Sequence, residues 1–341
     1  MSEVVVMTGV TKNFPGVRAN DGVDLSLKSG EVHSIVGENG AGKTTLMRIL
    51  YGMYTPDSGS IAVRGHQATI RNVTDALGLG IGMVHQNFMQ IPSLSVLENI
   101  VLGRAPVKKL GFIDYSAARQ QVSDQLSRLG MSVPLDLPVG RLSVGKRQKV
   151  EIAKALYRGA DVLILDEPTA VLTPQEAREL FAIVGELKKR GKSIVFISHK
   201  LQEVMEISDA ITVMRHGKVV ARLNPEETDE AQLARLMVGK QSIPQVSRSN
   251  ARHGDIVLKV CDLWSGSPKA LPAVRGVNLQ IRAGEILGIG GVDGNGQGEL
   301  VELVVGMRRP HTGQIMLSGK DIAHDTIRRR RELGIGFVPE D

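Results

Sequence analysis

Residues 37–44 read Gly-Glu-Asn-Gly-Ala-Gly-Lys-Thr, which fits G-x-x-x-x-G-K-[ST]. Such a loop brings consecutive backbone N–H groups up to phosphate oxygens, an approach that side chains would obstruct; hence the glycines. A helix starting near Lys43 points its positive end at the same anions. In this pattern Gly37, Glu38, Asn39, Gly40, Ala41, Gly42, Lys43, Thr44 and Thr45 surround a nucleoside triphosphate. Lys43 neutralises the β and γ phosphates, and the Thr44 hydroxyl is a ligand for Mg²⁺.

A second element, Val162-Leu163-Ile164-Leu165-Asp166-Glu167-Pro168, has four apolar residues ending in two acids. That places the acids at the carboxyl end of a core strand, where ligands of open α/β sheets sit. Asp166 is then a second Mg²⁺ ligand, and Glu167 orients and polarises an attacking water. The plainer reading, a strand ending in solvated carboxylates, loses force beside a phosphate loop in the same domain.

A third element, Leu142-Ser143-Val144-Gly145-Lys146-Arg147-Gln148, precedes an apolar helical stretch, Val150 to Leu156. Phosphate loop, Gln86, this L-S-x-G-x-x-Q signature, Asp166-Glu167-Pro168-Thr169 and a strand-end His199 follow one another in that order. The series resembles the ATP-binding cassette family of transport ATPases over essentially the whole chain. GTPases and kinases have no signature helix of this kind. The resemblance implies that Phe14 stacks on adenine, with a plain core role as the alternative. It implies that Gln86 senses the γ-phosphate or its Mg²⁺, and that His199 contacts the γ-phosphate and the attacking water. Ser143, Gly145 and Gln148 belong to a signature that binds the γ-phosphate of an ATP held by an opposite cassette. ATP and Mg²⁺ are the implied cofactors, and Lys43, Glu167 and His199 the implied catalytic residues. Transmembrane permease subunits are the implied partners, with a substrate-binding protein served indirectly. The implied location is the cytoplasmic face of the cell membrane. Within the family, MVHQNFMQIPSLSVLENIVLG and GVDGNGQGEL look most like the importers of nucleosides, with simple sugars as the neighbouring branch. Phe88, Met89, Ile91, Pro92 and Leu94 are either a contact for a permease or the core of a subdomain.

The elements that must position these residues are legible too. Strands and helices alternate through the first 240 residues, as in an α/β domain with a mainly parallel core sheet. An antiparallel β edge completes the fold class. Glu31–Val36, Val162–Leu165 and Ser193–Ile197 read as buried strands. Thr173-Pro174-Gln175-Glu176 is a capping box with proline at the first helical position. Ala177, Leu180, Val184 and Leu187 then share one helix face, and Gly191 ends it. The proline-marked stretch of about 87–160 is read as an inserted helical subdomain, with a helix from about Ser116 to Leu129.

Much of the phosphate-loop region recurs 254 residues later, where GEVHSIVGENGAGKTTL is answered by GEILGIGGVDGNGQGEL. Gln297 replaces Lys43 and Gly298 replaces Thr44, so this second loop lacks the lysine and the Mg²⁺-binding hydroxyl. The organisation expected is a first cassette over 1–240, a linker over 241–253 and the opening of a second, degenerate cassette over 254–341. In the family, each ATP lies between one phosphate loop and the partner's signature. One hydrolytic and one mainly structural site are therefore expected. The chain ends just after Glu340, the counterpart of Gln86, which reads as a second cassette cut short.

Composition sets the bounds. Hydrophobic residues make up 42% and charged residues 23%, ordinary for a globular protein. The single cysteine, Cys261, excludes an internal disulfide framework. The N-terminus has no secretory pattern, and no apolar run reaches membrane-spanning length. A net charge of +6 admits nucleic acid, but aromatics are only 3%, which leaves little to stack bases on. The run Arg328–Arg331 is read as a charged helix face, and no nucleic-acid partner is expected. A soluble tandem cassette acting on ribosomes or DNA is the alternative class; those keep both phosphate loops intact and join them by a long charged linker. A fragment that only binds nucleotide is a third reading.

Overall fold

Two twelve-residue strands open the chain, β1 (Glu3–Phe14) and β2 (Val17–Lys28), joined at Pro15-Gly16. The computed structural model describes residues 2–108, 111–239, 254–266, 272–291 and 294–339. It divides the chain into two units, Met1–Gln241 and Ser242–Asp341. The expected linker at 241–253, and Glu340 and Asp341, lie outside the described residues.

In the first unit, β3 (Val32–Val36) follows the opening hairpin, and β4 (Ser58–Val63) and β5 (His66–Ala68) return to it. An antiparallel sheet of order β2-β1-β4-β5 results. The second sheet joins β3 to β6 (Ile81–Val84), β7 (Val162–Asp166), β8 (Ser193–Ile197), β9 (Ala210–Arg215) and β10 (Lys218–Leu223). Its order is β10-β9-β3-β8-β7-β6, parallel throughout except for β10 on β9. Every residue of β3, β6, β7 and β8 is buried, as parallel strands covered on both faces must be. These runs carry mostly β-branched and other apolar side chains, each contributing about 1.5–3 kcal/mol when fully buried.

Helices α1 (Lys43–Leu50), α2 (Val73–Gly78), α6 (Pro174–Lys189), α7 (Leu201–Ile207) and α8 (Glu230–Val238) accompany the strands. Between β6 and β7 lie α3 (Val96–Val101), α4 (Tyr115–Arg128) and α5 (Val144–Tyr157). Val96, Ile100, Val122, Leu126 and Ile152 from these three helices share a core with Leu163 and Phe196 of the sheet. Those contacts fix α5 against the strands that carry the acids. Thr173 and Glu176 form the expected capping box of α6, whose buried face is Ala177, Leu180, Ile183, Val184 and Leu187.

The second unit repeats the opening of the first. Strands β11 (Ile256–Trp264), β12 (Val277–Arg282), β13 (Thr312–Leu317) and β14 (Lys320–Asp321) form an antiparallel sheet of order β12-β11-β13-β14. Helices α9 (Gln297–Val305) and α10 (Ile327–Glu332) start at the positions matching α1 and α2. Val260, Leu263, Leu300, Leu303 and Ile315 form its core.

The match to the first unit is incomplete. Residues 285–290 and 335–339, the counterparts of β3 and β6, are not strands. In the first unit β3 is laddered by β8 and β9, and β6 by β7, all from much later in the chain. The described residues of the second unit hold no counterparts, and a parallel strand has no ladder without a neighbour. Ile286 and Val338 are accordingly 98% and 91% exposed. The arginine run is also only partly a charged face. Arg328, Arg329 and Arg331 are exposed, but Arg330 is buried and donates to the carbonyls of Leu303, Val304, Ala323 and Asp325. A helical period turns one of four consecutive residues inward, and the guanidinium satisfies carbonyls left open at the end of α9.

Candidate functional site

The 37–45 loop is held in a shape that only glycine allows at its last turn. Gly42 has φ +98°, and a Cβ there would overlap the carbonyl oxygen of Ala19 in β2. Asn20, fully buried in β2, donates to Gly42 O at 3.1 Å, and Gly217 N donates to Ala41 O at 3.1 Å. Both sheets therefore brace the loop. Helices α2 to α6 and α8 each carry a side-chain N-cap, whereas α1 starts from Gly42 with none and with no acid in its first turn. Its first N–H groups are left for an anion. Lys43, buried at the helix start, donates to Gly37 O at 2.7 Å and Glu38 O at 2.9 Å. Burial pushes its ammonium below the ordinary lysine value, while Glu167 and Asp166 act in the opposite direction.

Strand β7 delivers the acids to this loop. Thr44 Oγ1 donates to Asp166 Oδ1 at 3.1 Å. Burial raises the Asp166 carboxyl above its usual range, opposed by that hydrogen bond. Glu167 sits one residue past the strand with φ +47°, a conformation uncommon for a side-chain-bearing residue, and its N–H donates to Ile197 O at 3.0 Å. The turn aims its carboxylate at two further expected residues. Gln86 Nε2 lies 3.4 Å from Glu167 Oε2, and His199 Nδ1 lies 3.3 Å from Glu167 Oε1. The ends of β6, β7 and β8 thus bring Gln86, Asp166, Glu167 and His199 to one edge of the sheet, beside Lys43 and Thr44.

The remaining expected residues lie apart from this cluster. Ser143 is the N-cap of α5 and Gly145 lies in its first turn; both hydrogen-bond to Glu176, at 3.5 and 3.2 Å. Gln148 is buried in the same helix, its Nε2 without a hydrogen-bond partner among the described residues. Phe14 is 36% exposed at the end of β1, edge-on to Tyr54 at 5.3 Å, so it is not a core residue. Met89 and Ile91 are exposed, and Arg147 stacks over Phe88 at 4.5 Å. In the second unit α9 starts from Gly296 without a side-chain cap, as α1 does from Gly42, but Glu299 puts a carboxylate in its first turn where α1 has Thr45.

Two contributors escape a reading of local pattern. Asn20 supports the loop from a strand 22 residues earlier, and Glu176 reaches the signature from 31 residues beyond it. Neither contact leaves a spacing signal, because both are made by pairing between sheets and helices distant in sequence.

Residues 20–170 and 274–341 match the family described as ABC transporter. The chain is 47% identical over 341 residues, all of its length, to the guanosine import ATP-binding protein NupO of Bacillus subtilis, and covers 67% of that protein. It is 42% identical over 341 residues to the ribose import ATP-binding protein RbsA 1 of Rubrobacter xylanophilus, again covering 67%. The chain thus spans about two thirds of the length of these relatives. Among solved structures it is similar to MJ1267, an ATP-binding cassette of an ABC transporter in its ADP conformation, with a TM-score of 0.63 and 27% identity over 70% of this chain and 100% of that one. A cassette fold, a phosphate loop facing paired acids and matches in both units agree: the chain belongs to the ABC transporter family of ATP-binding proteins.

Proposed function

We propose that the chain binds ATP on the 37–45 loop and hydrolyses it to drive import of a nucleoside, with simple sugars as the second cargo class. The observation that carries this reading is Glu167, held between Gln86 and His199 next to Lys43, Thr44 and Asp166. Lys43 exchanges the loop carbonyls for β and γ phosphate oxygens. Glu167 takes the proton of the attacking water, and His199 holds that carboxylate and the γ-phosphate in line. Thr44, Asp166 and Gln86 would supply hard oxygen donors of the kind Mg²⁺ prefers. Bound there, the ion would neutralise phosphate charge. Phe14, exposed and edge-on to Tyr54, offers its ring to adenine.

Residues 1–240 are read as one cassette, its helical subdomain at about 87–160, and 254–341 as the opening part of a second, joined by 241–253. The second loop lacks the lysine and adds Glu299, so one hydrolytic and one mainly holding site follow. Ser143 and Gly145 serve an ATP held by another cassette, with Gln148 packing their helix. Among the described residues no helix is long and apolar enough to cross a membrane. The partners follow from the import relatives: permease subunits, met at the cytoplasmic face of the membrane around Phe88 and Met89, and through them a substrate-binding protein. The nucleoside assignment rests on the higher identity to the guanosine relative than to the ribose one.

The test is ATP hydrolysis by this chain as a function of its own concentration. Specific activity that rises with concentration and disappears in Glu167→Gln supports the reading. ATP binding without hydrolysis at any concentration assigns the hydrolytic site to a signature outside this chain. No ATP binding at all overturns it.

A further inference from the structure

The signature carries an anion of its own. Glu176 Oε2 accepts from Thr173 N at 3.1 Å and Thr173 Oγ1 at 3.2 Å, which completes the capping box of α6. That box needs only one carboxylate oxygen. The other, Oε1, accepts from Gly145 N at 3.2 Å and Ser143 Oγ at 3.5 Å, at the start of a different helix. The fit is close: a Cβ at position 145 would overlap the Glu176 carboxylate.

Helix α5 has reason to recruit a negative group. Its opening turns contain Lys146, Arg147 and Lys149 and no acid in the first turn, the wrong sign for a helix N-terminus. Lys149 finds a second acid of α6, Glu179, at 2.6 Å. The donors of Gly145 and Ser143 are the same groups that, on the reading above, receive the γ-phosphate of an ATP held by another cassette.

We propose that the Glu176 carboxylate stands in for the γ-phosphate on Ser143 and Gly145, and that incoming ATP must displace it. This rests on the signature reading given above. Displacement is a rotation of one side chain: Oε1 leaves α5 while Oε2 stays on Thr173, so α6 keeps its cap. The contact raises the ATP concentration at which cassettes pair through this signature. Glu176 is a positioning residue and touches no nucleotide.

Glu176→Gln separates a competitor from a structural tie. Glutamine keeps the capping box through its one carbonyl oxygen but turns an NH2 toward Gly145, a donor that cannot accept from its N–H. The full chain, carrying Glu167→Gln to block hydrolysis, is titrated with Mg-ATP and its self-association followed by sedimentation velocity. Glu176→Gln is expected to lower the ATP concentration for half-maximal pairing by about three- to tenfold, the net scale of one ordinary hydrogen bond. Adding Ser143→Ala should reverse that gain. An unchanged or higher ATP requirement in Glu176→Gln, or no pairing by either protein, overturns the proposal. If pairing occurs but ignores Ser143→Ala, the signature reading itself fails and the proposal falls with it. If Ser143→Ala weakens pairing while Glu176→Gln does not strengthen it, only the proposal falls.

Discussion

Thr44 Oγ1 donates to Asp166 Oδ1 across 3.1 Å, joining the end of the phosphate loop to the end of strand β7. The two oxygens proposed to share one cation therefore face each other within the protein itself. Thr44→Val keeps the side-chain shape and removes the hydroxyl. ATP affinity measured with Mg²⁺ should fall about tenfold, the scale of one lost polar contact. Affinity in EDTA should be unchanged. An equal loss in both media would mean that Thr44 only shapes the loop.

The Glu167 carboxylate touches both Gln86 and His199. Glu167→Gln retains the hydrogen-bonding outline but cannot accept a proton from water. Hydrolysis should drop by about 10²- to 10⁴-fold, the usual contribution of a positioned general base. ATP affinity should stay within about twofold of the parent. A variant that hydrolyses at a tenth of the parent rate or faster would move the base elsewhere.

How much of this site could be read from residue order depends on how local each contact is. Strand β8 was legible to the residue, because a run of apolar side chains must be buried wherever it goes. The capping box at Thr173 and Glu176 was legible because both partners lie within one turn. The second function of Glu176, its hold on Gly145, was not, since it depends on where α5 and α6 meet. Ile286 shows the limit of such patterns: an apolar stretch matching β3 has the composition of a strand but finds no ladder among the described residues. Hydrophobic pattern states what must be buried; it does not supply the neighbour that buries it.

Glu151 offers a pH dependence with a definite sign. It lies in α5, 4% exposed, with Lys154 Nζ 3.6 Å away and Oε1 without a hydrogen-bond partner among the described residues. Burial raises its carboxyl above the ordinary value of 4.5, and Lys154 and Arg158 only partly oppose this. Because the folded form holds the proton more tightly than the unfolded chain, this group's stabilising contribution is fully present below about 4.5. It is lost as pH rises through the elevated folded value. Glu151→Gln removes that loss. Urea midpoints of parent and variant, measured from pH ~5 upward, should therefore change relative to each other, with the variant gaining on the parent as pH rises. A constant difference across the range would show that Glu151 does not titrate differently in the two states.

Arg330 tests the second unit by itself. The corresponding position in the first unit is Ala76, also fully buried, so the two units fill one place in the fold in different ways. In the second unit the guanidinium donates to Leu303 O at 2.6 Å, Val304 O at 2.7 Å and Ala323 O at 2.8 Å. It thereby ties the end of α9 to the segment after β14. Arg330→Met fills much of the same volume but leaves those carbonyls without their donors. Unsatisfied buried acceptors of this kind should cost about 3 kcal/mol, or roughly a hundredfold in the opening equilibrium. Hydrogen exchange should show the loss in the amides of α9 and β13, while amides of β3 and β7 keep their protection. Arg330→Lys keeps the charge but not the planar fork, and should recover only part of the protection. Parent-like exchange in Arg330→Met would mean that water or a shifted backbone satisfies the carbonyls, and that the buried arginine holds nothing together.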